Sequence, residues 1–192
     1  MVEPGAVLKV PHPTETVEVL ATPNETSDRY RVRLTAPPGG GPGVTGLGPH
    51  IHRGLVEVFR VVDGAMTVRV GDDTWDVSGQ DDAEIEVPAG ILHGFVNIGQ
   101  RPLVVEVDLV FTPPGPRPEA DLMAFWVELD KLVRSGPTSP RTGMPPLLRL
   151  AALLDQVPEA FTQPGIPGLL MKPLAVLGRL RGYRTTLSDE ES

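Results

Sequence analysis

Polar and apolar residues alternate along much of the first 112 positions. In Arg29-Tyr30-Arg31-Val32-Arg33-Leu34 every second side chain is charged, the period of a strand with one wet and one dry face. Ala83-Glu84-Ile85-Glu86-Val87 repeats the pattern. Residues 56–62, 65–70, 74–77, 92–97 and 103–111 read as further strands. Asp63-Gly64, between two of these runs, predicts a type I′ hairpin, which needs φ > 0 at both central residues. Gly71-Asp72-Asp73 reads as another turn. Short strands spaced this regularly predict an antiparallel sandwich or small barrel. The glycine- and proline-rich stretch 37–48 is a loop, either a lid over a pocket or a plain connector.

The pattern changes at Pro113-Pro114-Gly115-Pro116, because proline cannot donate to a sheet ladder. Beyond it Leu122, Phe125, Trp126, Leu129, Leu132 and Val133 recur at helical spacing. Residues 145–154 predict a second helix with proline near its start. Residues 169–180 predict a third, which Pro173 either kinks or delays. That third helix carries Lys172, Arg179, Arg181 and Arg184 beside Leu169, Leu170, Leu174, Val176 and Leu177. Such a stripe lies on a membrane surface or packs on its own domain or a partner copy; packing is the expectation. The division expected is therefore a β-barrel over 1–112 and a helical extension over 113–192.

Composition narrows the chemistry. The 192 residues carry a net charge of −8, so the chain lacks the basic footprint of a nucleic-acid binder. It has no cysteine, which excludes disulfides, thiolate catalysis and cysteine-based zinc sites. No apolar run approaches the roughly 18 residues of a membrane span, and the first residues have no apolar signal core; a cytoplasmic location is expected. The 21 glycines and 22 prolines suit short strands joined by tight turns.

Three of the four histidines fall in two short clusters. His50 and His52 are two residues apart, so on an extended segment both imidazoles face one way. Glu57 follows after an Arg53-Gly54 bend, and His93 comes just past Pro88-Ala89-Gly90. If the His93 strand lies against that of His50, three nitrogens and one carboxylate converge. That donor set suits Fe, Mn, Ni, Cu or Zn as a divalent ion rather than calcium. The alternative is that these are core histidines. His12, between Pro11 and Pro13, reads as surface loop. Asn97 either orients a ligand or ends a strand.

The segment His50-x-His52-x4-Glu57-x6-Gly64 resembles the first motif of the cupin superfamily, and Pro88-x-Gly90-x2-His93-x3-Asn97 resembles the second. The likeness covers about residues 43–97 by motif and 15–112 by strand pattern. It implies a mainly β, double-stranded β-helix jelly roll with a metal in its mouth. It also implies that His50, His52, Glu57 and His93 are the ligands. Val44 and Asp82 stand where the two motifs have glycine. The tail, ending in Leu177-Gly178-Arg179-Leu180-Arg181-Gly182-Tyr183, resembles that of single-domain cupins to which no activity is attached.

The strand period also predicts an interior wall: Phe59 and Val61 beside Glu57, Met66, Val68 and Val70 on the next strand, Ile85 and Val87, and Phe95 beside His93. Tyr30 supplies a hydroxyl. A mostly apolar lining favours an apolar or aromatic small-molecule substrate, although the same residues serve equally as core. The expected function is that of a metal-dependent oxygenase, similar to the quercetin-dioxygenase-like group, acting on an enolic or aromatic compound, with Glu57 as ligand and base. Two alternatives stand beside it: sugar isomerase or epimerase chemistry, and a non-catalytic binding or structural barrel. A homodimer, with residues 104–110 at its interface, is expected.

Overall fold

A computed structural model describes residues 2–10, 15–26, 28–41, 48–111, 118–136, 138–139, 144–156 and 168–183. The elements are β1 (Val7–Lys9), β2 (Thr16–Ala21), α1 (Pro23–Thr26), β3 (Arg29–Ala36), β4 (Leu55–Asp63), β5 (Ala65–Val70), β6 (Asp73–Ser78), β7 (Glu84–Val87), β8 (His93–Asn97), β9 (Leu103–Phe111), α2 (Pro118–Ser135), α3 (Leu147–Leu154) and α4 (Gly168–Leu180). A six-stranded sheet has the order β1-β2-β3-β9-β4-β7, and a three-stranded sheet has the order β6-β5-β8. All pairings are antiparallel. The fold is a jelly roll with a C-terminal helical extension.

The dry face of each strand fills the space between the sheets. Val17 and Val19 of β2, Tyr30 and Val32 of β3, Leu55 and Phe59 of β4, Met66 and Val68 of β5, and Val105, Val107 and Leu109 of β9 are all buried. At roughly 1.5–3 kcal/mol for each large apolar side chain removed from water, this face decides the register. A one-residue slip would turn every one of these side chains to solvent. β2 carries the same alternation in a shorter form, with Val17 and Val19 inward.

The turn at Asp63-Gly64 is not the expected hairpin. β4 pairs with β7 and β9, whereas β5 pairs with β6 and β8, so the chain crosses here from one sheet to the other. Gly64 alone takes a positive φ, of 92°, and a Cβ there would sit 3.2 Å from the Leu103 Cα. An Asp-Gly pair marks a sharp reversal, but burial of both apolar faces decides which strands meet. The two-residue hairpin lies one turn later. Val70 pairs with Asp73, and Gly71 has φ 63°. Asp82, standing where the second cupin motif has glycine, has φ 46°, the one positive value for a non-glycine among the described residues. The backbone keeps the left-handed geometry, which aspartate tolerates better than most residues. Val44 lies outside the described residues.

The extension joins the same core. Leu122, Phe125 and Leu129 of α2 are buried, as are Leu150, Leu153 and Leu154 of α3. α2 also covers the open edge of β1: the Asp130 carboxylate accepts from the Lys9 backbone N–H (2.7 Å), and Arg134 donates to the Val7 carbonyl (2.9 Å). Edge strands left uncovered invite pairing with other chains. α4 runs through Pro173 rather than starting at it. It meets α3 through Ala175, which is buried, and through Gly178, where a Cβ would collide with the Leu148 carbonyl oxygen. Its Val176, Leu177 and Leu180 remain exposed, so the expected packing of that stripe is only partly met. Among the described residues no helix is long and apolar enough to cross a membrane.

Candidate metal centre

His50 and His93 form an antiparallel bridge outside the main ladders, each backbone N–H donating to the other's carbonyl at 3.0 Å. The segment holding His50 and His52 therefore lies along β8 before it runs into β4. Gly90, in the turn before His93, donates its N–H to the His52 carbonyl at 2.7 Å. Glu57 reaches the same point from the other sheet, opposite Val87 of β7 and Leu109 of β9. The site thus joins both sheets, and all four side chains are buried.

Their ligating atoms lie within 4.8 Å of one another. His50 Nε2 is 3.1 Å from His52 Nε2, His52 Nε2 is 3.4 Å from one Glu57 oxygen, and His93 Nε2 is 2.8 Å from the other. Ligands bound at about 2.1 Å to one transition-metal ion stand roughly 3.0–3.4 Å apart when adjacent, close to these three contacts. Among the described residues, three buried side-chain polar atoms make no hydrogen bond, and Glu57 Oε2 and His93 Nε2 are two of them. With Nδ1 of His93 carrying the hydrogen, these two atoms face each other as acceptors at 2.8 Å, and a proton or a shared cation between them satisfies both. The four residues are arranged to bind a metal ion.

Backbone carbonyls aim the imidazoles. His50 Nδ1 lies 3.0 Å from the Gly48 carbonyl oxygen, and His93 Nδ1 lies 2.9 Å from that of Ile91. A carbonyl only accepts, so each Nδ1 carries the hydrogen and leaves the Nε2 lone pair facing the centre. Backbone groups have no residue-type signature, and sequence reading had no means of finding them. Burial, then the neighbouring His52 and His93, hold the His50 imidazole well below its ordinary value, so it is neutral at pH 7. Burial opposes ionisation of Glu57, but His52 and His93 beside it hold the carboxyl well below the usual range. Burial pushes His93 down, and Glu57 more than offsets this, leaving it raised. A proton on His93 Nε2 and a cation would compete for the same place.

Tyr30, Phe59, Met66, Val68, Ile85, Val87 and Phe95 are buried, while Val61 and Val70 are half-buried. The Phe59 ring is 6.2 Å from that of His93 and 5.8 Å from that of Phe95. Asn97 serves the strand end. Its amide donates to the carbonyls of Ala36 (3.0 Å) and Arg101 (2.8 Å), and its oxygen accepts from the Gly99 N–H (2.8 Å). Its own backbone pairs with Gly39 and Gly40 at the start of the 37–48 loop. Both ends of that loop are thus fastened to β8, at Asn97 and at His93. An Asn97→Ala variant is expected to lose about 2–3 kcal/mol of stability, because backbone groups lose their partners. Its metal content per folded molecule should match the wild type, measured by urea unfolding and elemental analysis. His12 and residues 42–47 lie outside the described residues.

Residues 32–112 match the family model of the cupin domain. The chain carries a cupin domain. No curated protein matches the sequence. Among solved structures, the cupin domain of Schizosaccharomyces pombe Cnp3 is similar at 15% identity, over 56% of this chain and 69% of that one, with a TM-score of 0.45. A predicted oxalate decarboxylase from Thermotoga maritima is similar at 18% identity, over 58% and 100%, with a TM-score of 0.46. KdgF from a Halomonas species is similar at 21% identity, over 56% and 87%, with a TM-score of 0.45.

Proposed function

We propose that this cupin is a cytoplasmic, metal-dependent enzyme of the oxygenase type that acts on a small, apolar, enolic or aromatic substrate. Residues 1–112 form its binding module and residues 113–192 extend it. The observation that carries the reading is the convergence of three imidazoles and one carboxylate inside an apolar interior. A divalent Fe, Mn, Ni, Cu or Zn ion fits this donor set, and when bound it supplies Lewis-acid or redox chemistry.

The chain's own groups set the substrate class. Ionised Glu57 leaves a dication with one net positive charge. Among the described residues no lysine or arginine is buried, so nothing inside the barrel offsets a second negative charge. One deprotonated enol or phenol balances the site; a dianion does not. Phe59, Met66, Val68, Ile85 and Phe95 form the wall against which a ring would pack and exclude water, with Tyr30 as its hydroxyl. Glu57 is proposed as ligand and as base: it takes the enolic proton and passes it on, so that its carboxylate is again ionised beside the bound enolate.

The test is elemental analysis of the purified protein, followed by oxygen uptake with enolic and aromatic compounds after loading with each candidate metal. Consumption of oxygen with a monoanionic enol and not with a dicarboxylate is the expected result. No turnover with any metal would overturn the oxygenase reading in favour of a non-catalytic binding barrel. Conversion of a sugar without oxygen uptake would favour the isomerase or epimerase alternative. We further propose that two copies pair through the outer face of β9. Both edges of that strand are taken by β3 and β4, so only its face is open to a partner. A 20.6 kDa particle in sedimentation at micromolar concentration would remove that proposal.

A further inference from the structure

We propose that the outward face of α4 docks on an anionic lipid surface. Pro173, Val176, Leu177 and Leu180 fall at i, i+3, i+4 and i+7, so they form one stripe. All four are exposed, Val176 by 48%, Leu177 by 41% and Leu180 by 79%. The opposite side of the helix, Ala175 and Gly178, is the side buried against α3. α3 belongs with α2 to the core that continues from the barrel, so this stripe is turned away from the packed interior. An apolar ridge of this kind is usually covered by something.

Charge identifies the cover. Lys172 and Arg179 flank the stripe on one side and Arg181 on the other, all exposed. Arg179 is shared with Asp155, just past the end of α3, at 2.7 Å. Lys172 and Arg181 have no ion pair among the described residues. In sequence, residues 160–187 contain four basic residues and no acidic one, within a chain of net charge −8. An apolar ridge between rows of cations is the arrangement of a helix lying in a headgroup layer. There the leucines enter the acyl boundary and the cations meet lipid phosphates. A second copy matches the apolar ridge but gives no reason for the excess of cations, because like charges would face one another across a two-fold axis. The helix does not span the bilayer; it lies on it. The face is remote from the metal ligands in sequence and fold, so this inference stands apart from the proposed reaction.

The test is co-sedimentation of the full chain with vesicles of phosphatidylcholine alone and with about one third phosphatidylglycerol. The wild type should bind the anionic vesicles and not the neutral ones, and 0.5 M salt should release it. A Leu177→Asp/Leu180→Asp variant should bind at least about tenfold more weakly. A Lys172→Glu/Arg181→Glu variant should lose about tenfold or more, since each cation near the surface counts separately. These side chains are exposed, so both variants should melt with the wild type; the charge variant stands if the leucine variant misfolds. Absence of binding to anionic vesicles at low salt would overturn the proposal, as would equal binding by wild type and both variants. A wild-type dimer that Leu177→Asp/Leu180→Asp converts to monomer, without vesicle binding, would assign the face to a second copy instead.

Discussion

A His50→Ala/His93→Ala variant is expected to purify without metal where the wild type retains it. Four-ligand protein sites bind zinc with about 10–16 kcal/mol, so each ligand accounts for roughly 3 kcal/mol and two for roughly 6. That corresponds to a loss of affinity of more than about ten-thousandfold. The backbone bridge between positions 50 and 93 uses main-chain groups and survives the substitution. Glu57 is then left buried without His93 at 2.8 Å, so the variant also loses stability through an unpaired carboxylate. Glu57→Gln separates the two effects, because it removes the charge and keeps the shape. It should lower metal affinity while melting close to the metal-free wild type. In a thermal melt, a chelator should lower the wild-type midpoint, as mass action requires of a ligand bound only to the folded state. It should leave the double variant unchanged. Full metal retention by the double variant would contradict the ligand assignment.

The second large effect is expected at Asp108, beside the strand partner of Glu57 but on the opposite face of the sheet. Its side chain has no exposed surface and is gripped on the outer face of the six-stranded sheet. Arg31 reaches it at 2.6 and 3.0 Å, Arg60 at 3.0 Å and Arg29 at 3.2 Å. Burial pushes its carboxyl up, but the three guanidiniums, Arg31 and Arg60 foremost, bring it down from 3.8 to about 2. Because the folded value is the lower one, the ionised carboxylate stabilises the fold fully above pH 4. That contribution is lost as pH falls from about 4 to about 2. The shift corresponds to about 1–2 kcal/mol once water around the part-exposed guanidiniums is allowed for. Asp108→Asn removes it and leaves three cations facing one another across β3, β9 and β4. A loss of about 2–3 kcal/mol at pH 7 follows. Urea midpoints at pH 7, 5 and 3 check this: the gap between wild type and variant should be constant down to about pH 5 and shrink below pH 4. A gap that persists unchanged at pH 3 would show that Asp108 acts through packing rather than charge.

Where sequence and structure agree, the information was local or periodic. The alternation in residues 29–34 puts Tyr30 and Val32 in the core, and β5 and β9 begin and end where the apolar runs do. The spacing of His50, His52, Glu57 and His93 was legible because the side chains themselves carry the chemistry. What stayed hidden depends on distant partners. Asp63-Gly64 looks like a hairpin from its neighbours alone, but β4 finds β9, whose paired residues run from Asp63–Val104 to Leu55–Phe111. The two roles of Asn97 could not be separated until the carbonyls of Ala36 and Arg101 were seen around its amide. The apolar residues of α4 predicted a packed helix, but only the opposite side, Ala175 and Gly178, meets α3. Helical spacing states that a stripe exists and not what covers it.

Metal-edge X-ray absorption of the purified wild type, with the metal it carries from the cell, tests most directly whether these four side chains share one ion. Scattering from three imidazoles and at least one oxygen at about 2.0–2.2 Å is the expected spectrum, with the imidazole signal reduced in a His93→Ala variant. A shell of water oxygens alone, or an imidazole signal unaltered by that variant, would mean that the cation, if bound, sits elsewhere in the barrel.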